Sequence, residues 1–340
     1  MNILLLQLKR IGDLILTTPA IAAVRERFPD AKIALAVAAG SRELLPAITD
    51  VDETLVAHGR ITDAAGWFRV ARRRYEYCFD FTRTDRSAFV TLLSRARSRV
   101  VADHPRFRGQ MRSLTYNKLI DVPIGEMHTV DYHLALLEPV EVEHASQKLR
   151  LNLPAAALEA AGRVLANAGL AAGEFIVLHP GSARREKFWE PERWAALIAA
   201  AARYDLKCVV TGARSSLEQG HIAEIRSHSR HPFIDLAGQV DLLTLAALIQ
   251  RARMLITVDS APMHLAAASQ TPQVALFGPT NPLHWRPRFT PAVILQAGQD
   301  SPVTAFTRKQ KAAPMNRLST EQVIDAMKSL LAVPETASSV

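Results

Sequence analysis

The chain has 340 residues and a mass of 37.4 kDa, a length that favours two domains over a single core. Hydrophobic residues make up 49% and charged residues 22%, with only 15 glycines and 19 prolines, so collagen-like, coiled-coil and disordered chains are excluded. The net charge of +8 indicates an anionic partner or surface.

The positive charge is concentrated in one stretch. From Arg60 to Lys118 there are 14 Lys or Arg and 5 Asp or Glu, so 14 − 5 = +9, and the remainder is about neutral.

Cys78 and Cys208 lie far apart in apolar runs, which is typical of a reduced cytoplasmic protein. No apolar run reaches the roughly 18 residues of a membrane span, and no secretory signal is visible. We therefore expect a cytoplasmic protein.

Short apolar runs alternate with helical patterns along the first half, which predicts the α/β class with a parallel, doubly wound sheet. A helix is predicted over Pro19–Phe28, where Ile21, Val24 and Phe28 form one stripe and Thr18 is the expected cap. The predicted strands are Ile3–Leu6, Lys32–Val37, Glu53–Val56, Tyr75–Phe81 and Arg99–Ala102.

The same rhythm starts again after an Ala-rich helical stretch that ends at Asn167-Ala168-Gly169. The chain is therefore expected to hold two similar α/β units in tandem. Such units bind ligands at the carboxyl ends of their strands, so we expect a cleft between the two. The predicted strands of the second unit are Phe175–Leu178, Lys207–Val210, Phe233–Leu236, Met254–Val258, Gln273–Phe277 and Ala292–Leu295.

Asp13 is the first candidate functional residue. It ends the segment Gln7–Asp13, which we predict to be a loop between the first strand and the first helix. Gly12 would allow a turn or a close approach to a ligand, and Asp13 could accept a proton from a hydroxyl nucleophile. A helix cap is the more common use of an Asp at such a place, and both interpretations stay open.

The second candidate is the segment His179–Trp189, which follows the first strand of the second unit and leads to a helix with Pro191 in its first turn. Backbone N–H groups, Ser182 and the Lys187 ammonium could hold a diphosphate and stabilise charge on a departing nucleotide. A solvated basic loop is an equally good interpretation of this segment taken alone.

The third candidate is the junction of a strand and a small-residue helix, where Asp259, Ser260 and His264 lie together in sequence. The helix N-terminus would suit a diphosphate and the polar side chains would suit sugar hydroxyls, although a cap is again the alternative. The rigid turn Phe277–Pro282 follows the next strand.

The sequence motifs of several other classes of site are absent. Neither the dinucleotide fingerprint nor the P-loop motif occurs, and no serine nucleophile elbow is present. His221, His228 and His231 have no zinc spacing and are predicted to be solvated. Asp50 and Asp52 precede a strand and are predicted to be surface charge rather than metal ligands.

Together these motifs resemble glycosyltransferase family 9, the lipopolysaccharide heptosyltransferases. Ser260-Ala261 replaces the Thr-Gly usual in the family, and His284–Pro287 also resembles the heptosyltransferase III branch. The family pattern has an acidic residue shortly after Gly212 that contacts ribose, whereas here the first acidic residue after Gly212 is Glu218. This difference leaves the nucleotide preference open. The segments that carry the resemblance are Lys9–Asp13, Thr17–Ala20, His179–Trp189, Val258–His264 and Leu276–Thr280.

The resemblance implies a GT-B fold of two tandem Rossmann-like domains facing across a cleft. Residues 1–155 would bind the acceptor, residues 156–318 the nucleotide sugar, and a helix in 319–340, predicted over Thr320–Leu331, would pack back toward the first domain. It also implies an inverting, metal-independent transfer of heptose from ADP-heptose to the inner core of lipopolysaccharide, the third heptose going onto heptose II.

The resemblance assigns roles to individual residues. Asp13 would be the base that activates the acceptor hydroxyl, and Lys187 would bind the diphosphate. The implied donor-binding residues are Ser182, Arg185, Gly212, Val240, Asp259, Ser260, Ala261, His264, Gly278 and Thr280. The acceptor would be bound by Lys9, Arg10 and Gly12 of the first motif, and the basic stretch adds Arg83, Arg86, Arg106 and Arg108 as hypothetical contacts to an anionic acceptor.

The expected partners are ADP-heptose, the phosphorylated and acidic inner-core acceptor, and the anionic cytoplasmic face of the inner membrane, which a basic stretch would hold peripherally. We expect a monomer with no cofactor, no metal site and no bound nucleic acid. Three alternatives stay open: transfer of another nucleotide sugar to a glycolipid, a sugar-nucleotide epimerase of similar fold, and a noncatalytic binder of anionic glycans or nucleic acid.

Overall fold

The computed structural model describes residues 1–59, 63–103, 114–142 and 144–332. The chain divides into two compact units, Met1–Asn152 and Leu153–Val340. Each unit is built on a six-stranded sheet whose neighbouring strands are all parallel. The predicted α/β class is therefore confirmed.

The first unit has the strand order β3-β2-β1-β4-β5-β6. Its strands are β1 Asn2–Gln7, β2 Lys32–Ala38, β3 Glu53–Ala57, β4 Tyr77–Asp80, β5 Ser98–Ala102 and β6 Lys118–Ile120. Its α-helices are α1 Ile11–Ile15, α2 Thr18–Arg27, α3 Ala64–Arg72, α4 Asp85–Ser94 and α5 Thr129–Ala135. Its 3₁₀ helices are Ala39–Ala47, Ile124–Glu126 and Glu138–Val140.

The second unit has the order β12-β11-β10-β7-β8-β9, which repeats the topology of the first. Its strands are β7 Phe175–His179, β8 Lys207–Val210, β9 Ile234–Asp235, β10 Met254–Val258, β11 Gln273–Phe277 and β12 Ala292–Gln296. Its α-helices are α6 Ala155–Asn167, α7 Pro191–Ala202, α8 Ser216–His228, α9 Leu242–Arg251, α10 Ala261–Ala268, α11 Pro282–Trp285 and α12 Thr320–Leu331. Its 3₁₀ helices are Arg185–Lys187 and Met315–Arg317.

The central strands are continuous apolar runs because helices cover both faces of a doubly wound sheet. Every residue of β7, β10 and β11 is buried. The core of the second unit gathers these strands with Trp189 and Trp194, whose rings meet edge to face at 5.3 Å between centroids. Burial of this apolar surface is what orders the strand ends, where the polar loops begin.

Each sheet has one switch point, where the chain reverses the direction in which it adds strands. In the first unit β1 is paired with both β2 and β4, and in the second unit β7 is paired with both β8 and β10. The loops that leave the two strands flanking a switch point diverge and leave a crevice at their carboxyl ends. The loops after β1 and β4, and those after β7 and β10, are therefore the places to examine for function.

The structure corrects three local predictions. The segment Gln7–Asp13 is not all loop, because helix α1 begins at Ile11. The position before helix α2 is Thr17 rather than Thr18, and its side chain makes no capping hydrogen bond. Strand β6 was missed because its three residues carry too little pattern to be distinguished from a loop.

The chain divides after Asn152, and the separate roles of residues 1–155 and 156–318 stay a prediction. Helix α12 has the predicted bounds and begins with a capping box in which Ser319 and Gln322 bind each other's backbone N–H groups. Its residues Val323 and Met327 belong to the core of the second unit. Among the described residues no helix is long and apolar enough to cross a membrane.

Candidate functional site

Three side chains meet at the switch point of the second sheet. Lys187 Nζ donates to Asp259 Oδ2 at 2.6 Å and to the Asp259 backbone oxygen at 3.0 Å. The Thr280 hydroxyl donates to the same Oδ2 at 2.7 Å. All three residues are buried, with at most 9% of their surface exposed. One buried carboxylate therefore joins the loops that follow β7, β10 and β11.

The geometry leaves Lys187 able to bind a ligand. An ammonium group has three N–H donors, and Asp259 receives two of them. The third is available to an acceptor such as a phosphate oxygen. Because the Asp259 carboxylate holds Nζ in place, the ammonium would not have to be ordered when a ligand arrives, which reduces the cost of binding.

The N-terminus of helix α10 lies in the same loop as Asp259. Its N-cap residue Ser260 has an extended backbone, but its side chain does not cap the helix; it donates to the Val258 oxygen at 3.2 Å instead. Helices α8, α9 and α12 differ, because each has a side-chain cap. The first turn of α10, which starts at Ala261, therefore keeps positive charge for an anion.

Two buried histidines stand next to this cluster. His264 is 4% exposed, burial lowers its pKa to about 4, and its Nδ1 is a buried atom without a hydrogen-bond partner among the described residues. His179 ends β7, contacts the Thr211 hydroxyl at 3.0 Å through Nδ1, and has its pKa lowered to about 4 by burial. Both are therefore neutral at physiological pH, and the unpaired nitrogen of His264 favours a ligand there.

The other predicted donor-binding residues are placed as follows. Ser182 is buried after β7, and Arg185 is exposed in the 3₁₀ helix that contains Lys187. Val240 is half-buried in the loop after β9, immediately before the cap of α9. All of these loops leave the carboxyl edge of the second sheet.

Two glycines in the predicted donor set have close neighbours inside the protein. A Cβ on Gly278 would lie 2.4 Å from the sulfur of Met315, and a Cβ on Gly212 would lie 2.7 Å from a methyl carbon of Ile222. Packing alone therefore explains why glycine is needed at both positions, and donor binding by either stays a prediction.

Two residues of this edge were not recognised as site residues from the sequence. Glu218 is buried, accepts the N–H of Ala213 at 2.8 Å, and occupies the space where a Cβ of Gly181 would lie. His221 was predicted to be solvated, but it is 6% exposed and stacks on Phe188 at 4.4 Å. That prediction was wrong because His221 lies on the buried face of helix α8, together with Glu218, Ile222 and Ile225.

Asp13 lies near the switch point of the first sheet, in the first turn of helix α1. The helix has Arg10 as N-cap, and no N-cap side chain binds it, so Asp13 is not the cap itself. Burial raises the pKa of Asp13, while the Lys9 ammonium and the backbone N–H of Arg10 act in the opposite direction. A partly buried carboxylate with a raised pKa is suited to accept a proton.

Lys9 is a charged neighbour of Asp13 and is itself influenced by two further charged residues, Asp80 and Arg83. Burial lowers the pKa of Lys9, and its ammonium is influenced by the charges of Asp13, Arg83 and Asp80. Lys9 lies in the loop after β1, Asp80 ends β4 and Arg83 lies in the loop after it, so all three flank the switch point. Gly12 has an ordinary helical backbone inside α1, so the predicted turn at this glycine is wrong.

The remaining predicted acceptor residues differ in what the structure says about them. Arg10 is exposed. Arg86 forms an ion pair with Asp63 at 3.3 Å, so its guanidinium is directed to the loop after β3. Arg106 and Arg108 lie outside the described residues. Within the described ranges, no group of three His, Cys, Asp or Glu side chains could hold a metal ion.

A sequence model of glycosyltransferase family 9 (heptosyltransferase) matches residues 66–315, which is well over half of the chain and includes the Lys187, Asp259 and Thr280 loops. The chain belongs to glycosyltransferase family 9. Lipopolysaccharide heptosyltransferase 3 of Escherichia coli is 27% identical over 96% of this chain and 98% of its own length.

Two solved structures extend the comparison to the fold. A family 9 glycosyl transferase from Veillonella parvula has a TM-score of 0.81 and 25% identity, with 97% of each chain covered. Heptosyltransferase WaaC of E. coli with ADP has a TM-score of 0.69 and 19% identity, with 97% of each chain covered. The predicted family and the GT-B fold are confirmed, and the protein is a glycosyltransferase.

Proposed function

We propose that this family 9 enzyme transfers heptose from ADP-heptose to the inner core of lipopolysaccharide, adding the third heptose onto heptose II. The observation that carries the proposal is the buried Lys187–Asp259–Thr280 cluster beside the uncapped N-terminus of α10. Its cation and helix dipole suit a sugar diphosphate. The choice of acceptor is supported by the 27% identity to lipopolysaccharide heptosyltransferase 3.

The transfer is a single displacement. The Asp13 carboxylate takes the proton of the acceptor hydroxyl, and the hydroxyl oxygen forms a bond to the anomeric carbon of heptose. The bond between that carbon and the diphosphate oxygen breaks, and ADP leaves with the electron pair. Because attack and departure occur on opposite faces of the sugar, the configuration inverts.

Lys187 stabilises the leaving group in this scheme. Its third N–H would bind a diphosphate oxygen, and the N–H of Ala261 at the start of α10 would bind the same group, so negative charge that develops on ADP is met by preorganised donors. Positive charge is thus supplied by the chain itself, and the transfer is proposed to need no metal ion. Among the other predicted contacts, Ser260 and His264 would bind the sugar.

The two units divide these tasks. Residues 1–155 would bind the acceptor, because Asp13 and the basic stretch belong to them, and residues 156–318 would bind the nucleotide sugar. The enzyme is further proposed to act as a cytoplasmic monomer.

The test is a transfer assay with acceptors cut back step by step. The purified protein is incubated with ADP-heptose and each acceptor in EDTA, and the products are weighed by mass spectrometry. A gain of one heptose only on the acceptor that already carries two heptoses is the expected result. No gain on any acceptor, with ADP-heptose binding intact, would refute heptose transfer to this core and favour another sugar.

Two controls separate this function from other reactions. Asp13→Asn should abolish transfer and leave the binding of ADP-heptose unchanged, because the amide cannot take a proton. Full activity in this variant would refute the role of Asp13. Incubation with ADP-heptose alone should leave the sugar unchanged, whereas a converted sugar would indicate an epimerase.

We also propose that the first unit attaches to an anionic membrane surface through helices α3 and α4, which pack against each other. Their outer faces expose Phe68 at 61%, Phe89 at 56% and Leu92 at 56%. The Arg72 guanidinium lies 5.5 Å from the centre of the Phe68 ring. Exposed apolar side chains beside cations suit a bilayer with anionic head groups, because insertion and attraction act together.

Sedimentation with vesicles tests this attachment. The protein should bind vesicles of phosphatidylglycerol and phosphatidylethanolamine, lose most of that binding at high salt, and leave phosphatidylcholine vesicles unbound. Phe68→Ser together with Phe89→Ser should weaken binding, whereas Phe289→Ser, which removes a 47% exposed ring from the second unit, should not. Equal effects of the two changes would contradict the proposed surface.

A further inference from the structure

A strained turn follows β4 at the switch point of the first sheet. Asp80 is fully buried there, and its Oδ1 accepts the N–H groups of Thr82 at 2.8 Å and Arg83 at 3.1 Å. Its Oδ2 accepts the hydroxyl of Tyr116 at 2.5 Å. These bonds hold Arg83 in the left-handed region, at a φ of 61°, which disfavours residues with a Cβ. A long cationic side chain thus occupies a position that would suit glycine.

The Arg83 side chain lies against Tyr132 of helix α5. The carbon at the centre of its guanidinium is 5.3 Å from the centroid of the Tyr132 ring. Tyr132 is only 3% exposed. Arg83 Nε and the Tyr132 hydroxyl are both buried atoms that have no hydrogen-bond partner among the described residues. Buried polar groups are nearly always paired, so two adjacent unpaired donors indicate a ligand that supplies acceptors.

The same pair is connected to the candidate base. The Thr17 hydroxyl donates to the backbone oxygen of Asp13 at 2.7 Å and contacts His133 Nδ1 at 3.2 Å. His133 in turn packs on Tyr132 at 4.9 Å between ring centroids. Lys9 adds a second cation influenced by both Asp13 and Arg83. The charge of Asp13 also acts on the Tyr132 hydroxyl, so Lys9 and Tyr132 both lie within electrostatic reach of this carboxylate.

We propose that Arg83 and Tyr132 hold an anionic group of the acceptor, a phosphate or a sugar carboxylate, beside Asp13, and that Asp80 is the positioning residue that aims Arg83. The inference rests on the proposed function and adds to it which part of the acceptor is recognised and by which side chains. Arg83 supplies charge, and the Tyr132 hydroxyl supplies a neutral donor, because burial raises its pKa and keeps it protonated.

Steady-state kinetics against acceptor concentration test the subsite. Arg83→Gln should raise the acceptor KM by about 10- to 100-fold, the range of a charge-assisted hydrogen bond. Tyr132→Phe should raise it by about 3- to 10-fold, the range of a neutral donor. Arg95→Gln is the matched control, since this exposed arginine at the other end of α4 also has a left-handed backbone, with a φ of 52°. The acceptor KM of Arg95→Gln should stay unchanged, and the binding of ADP-heptose should stay unchanged in all of these variants.

Two further variants distinguish recognition from a role in folding. Arg83→Gly removes the backbone strain, so its melting temperature should equal or exceed that of the wild type while the acceptor KM rises as in Arg83→Gln. Asp80→Asn keeps the side-chain shape and should raise the acceptor KM as well, and the second change Arg83→Gln should then add little. Fully additive effects, or an unchanged KM in Arg83→Gly, would overturn the proposal.

The source of the anion is found by removing phosphate from the acceptor with hydrofluoric acid. If the effect of Arg83→Gln disappears on this acceptor, the subsite binds phosphate; if it persists, the subsite binds a carboxylate. Calorimetry with the phosphorylated acceptor provides a readout without turnover. Binding that depends on Arg83 but leads to no heptose transfer would refute the proposed function and support the subsite. Heptose transfer that is unaffected by Arg83→Gln would support the proposed function and refute the subsite.

Discussion

Removal of the Lys187 ammonium is the sharpest test of the donor site. Lys187→Met keeps the length of the side chain and leaves Asp259 with the Thr280 hydroxyl as the partner of its Oδ2. The side chains of Lys187 and Asp259 are 11% and 8% exposed, so the carboxylate cannot recover its hydration without a local rearrangement. A buried ion pair that loses one partner costs about 3–5 kcal/mol.

This cost can be measured by thermal unfolding. For a unit of this size each kcal/mol lowers the melting temperature by about 2–4 °C, so a loss of about 6–20 °C is expected for the second unit. Calorimetry should show ADP-heptose binding weakened by about 10- to 100-fold, because a charge-assisted contact to the diphosphate is lost. The double change Lys187→Met with Asp259→Asn should recover most of the stability, since no unpaired charge remains buried, but not the binding.

An exposed ion pair of equal length is the control. Arg226 and Asp235 are also 2.6 Å apart, but their side chains are 54% and 25% exposed. Arg226→Met should therefore cost less than about 1 kcal/mol. If Lys187→Met were as mild as Arg226→Met, or if the double change were less stable than Lys187→Met alone, burial would not be what makes this pair sensitive and the reasoning would be refuted.

Three further predictions concern pH and packing. Lys9→Met removes a cation that lowers the pKa of Asp13, so the acid limb of the profile of kcat against pH should move to higher pH. Lys32→Met, at the opposite end of the sheet, should leave that limb in place. Burial lowers the pKa of His179 and His264 to about 4, below the value of an unfolded histidine. Their contribution to stability should therefore be complete above about pH 6.5 and be lost as the pH falls toward 4. In acid unfolding, His264→Gln should reduce this loss of stability, whereas His228→Gln, at an exposed histidine, should not. Gly181→Ala puts a Cβ 2.1 Å from Glu218 Oε2 and should lower the melting temperature. Gly220→Ala, in open space on α8, should raise it. An unchanged melting temperature in Gly181→Ala would contradict the packing at that loop.

Most strands of both sheets could be predicted because a strand buried on both faces is a continuous apolar run, whereas β6 was missed because it has only three residues. Lys207–Val210, Met254–Val258 and Gln273–Phe277 were predicted with the bounds that the structure has. Helix α1 could not be predicted, because its five residues are too few to show a helical stripe and two of them, Gly12 and Asp13, are typical of loops.

The candidate site was predictable in its parts and not in its contacts. The polar loops were found because each follows an apolar strand, but Lys187 and Asp259 are 72 residues apart, and only the pairing of β7 with β10 brings them into one ion pair. Tyr132 gave no signal at all, since an aromatic residue in a short helix is usually part of the core. The role proposed for it depends on the unpaired hydroxyl, which arises only from the packing of the folded chain.

The repeated topology gives these sites a common physical origin. In each sheet the two loops at the switch point diverge, and the fold fills the space with ionisable groups: Asp13 with Lys9 in one unit, Asp259 with Lys187 in the other. The two pairs differ in the way their charge is held. Asp259 is fixed by three short contacts and is suited to hold a cation in place, whereas Asp13 has a pKa raised by burial and is suited to exchange a proton. The binding role proposed for one unit and the chemical role proposed for the other therefore rest on a difference in hydrogen bonding and burial rather than in fold.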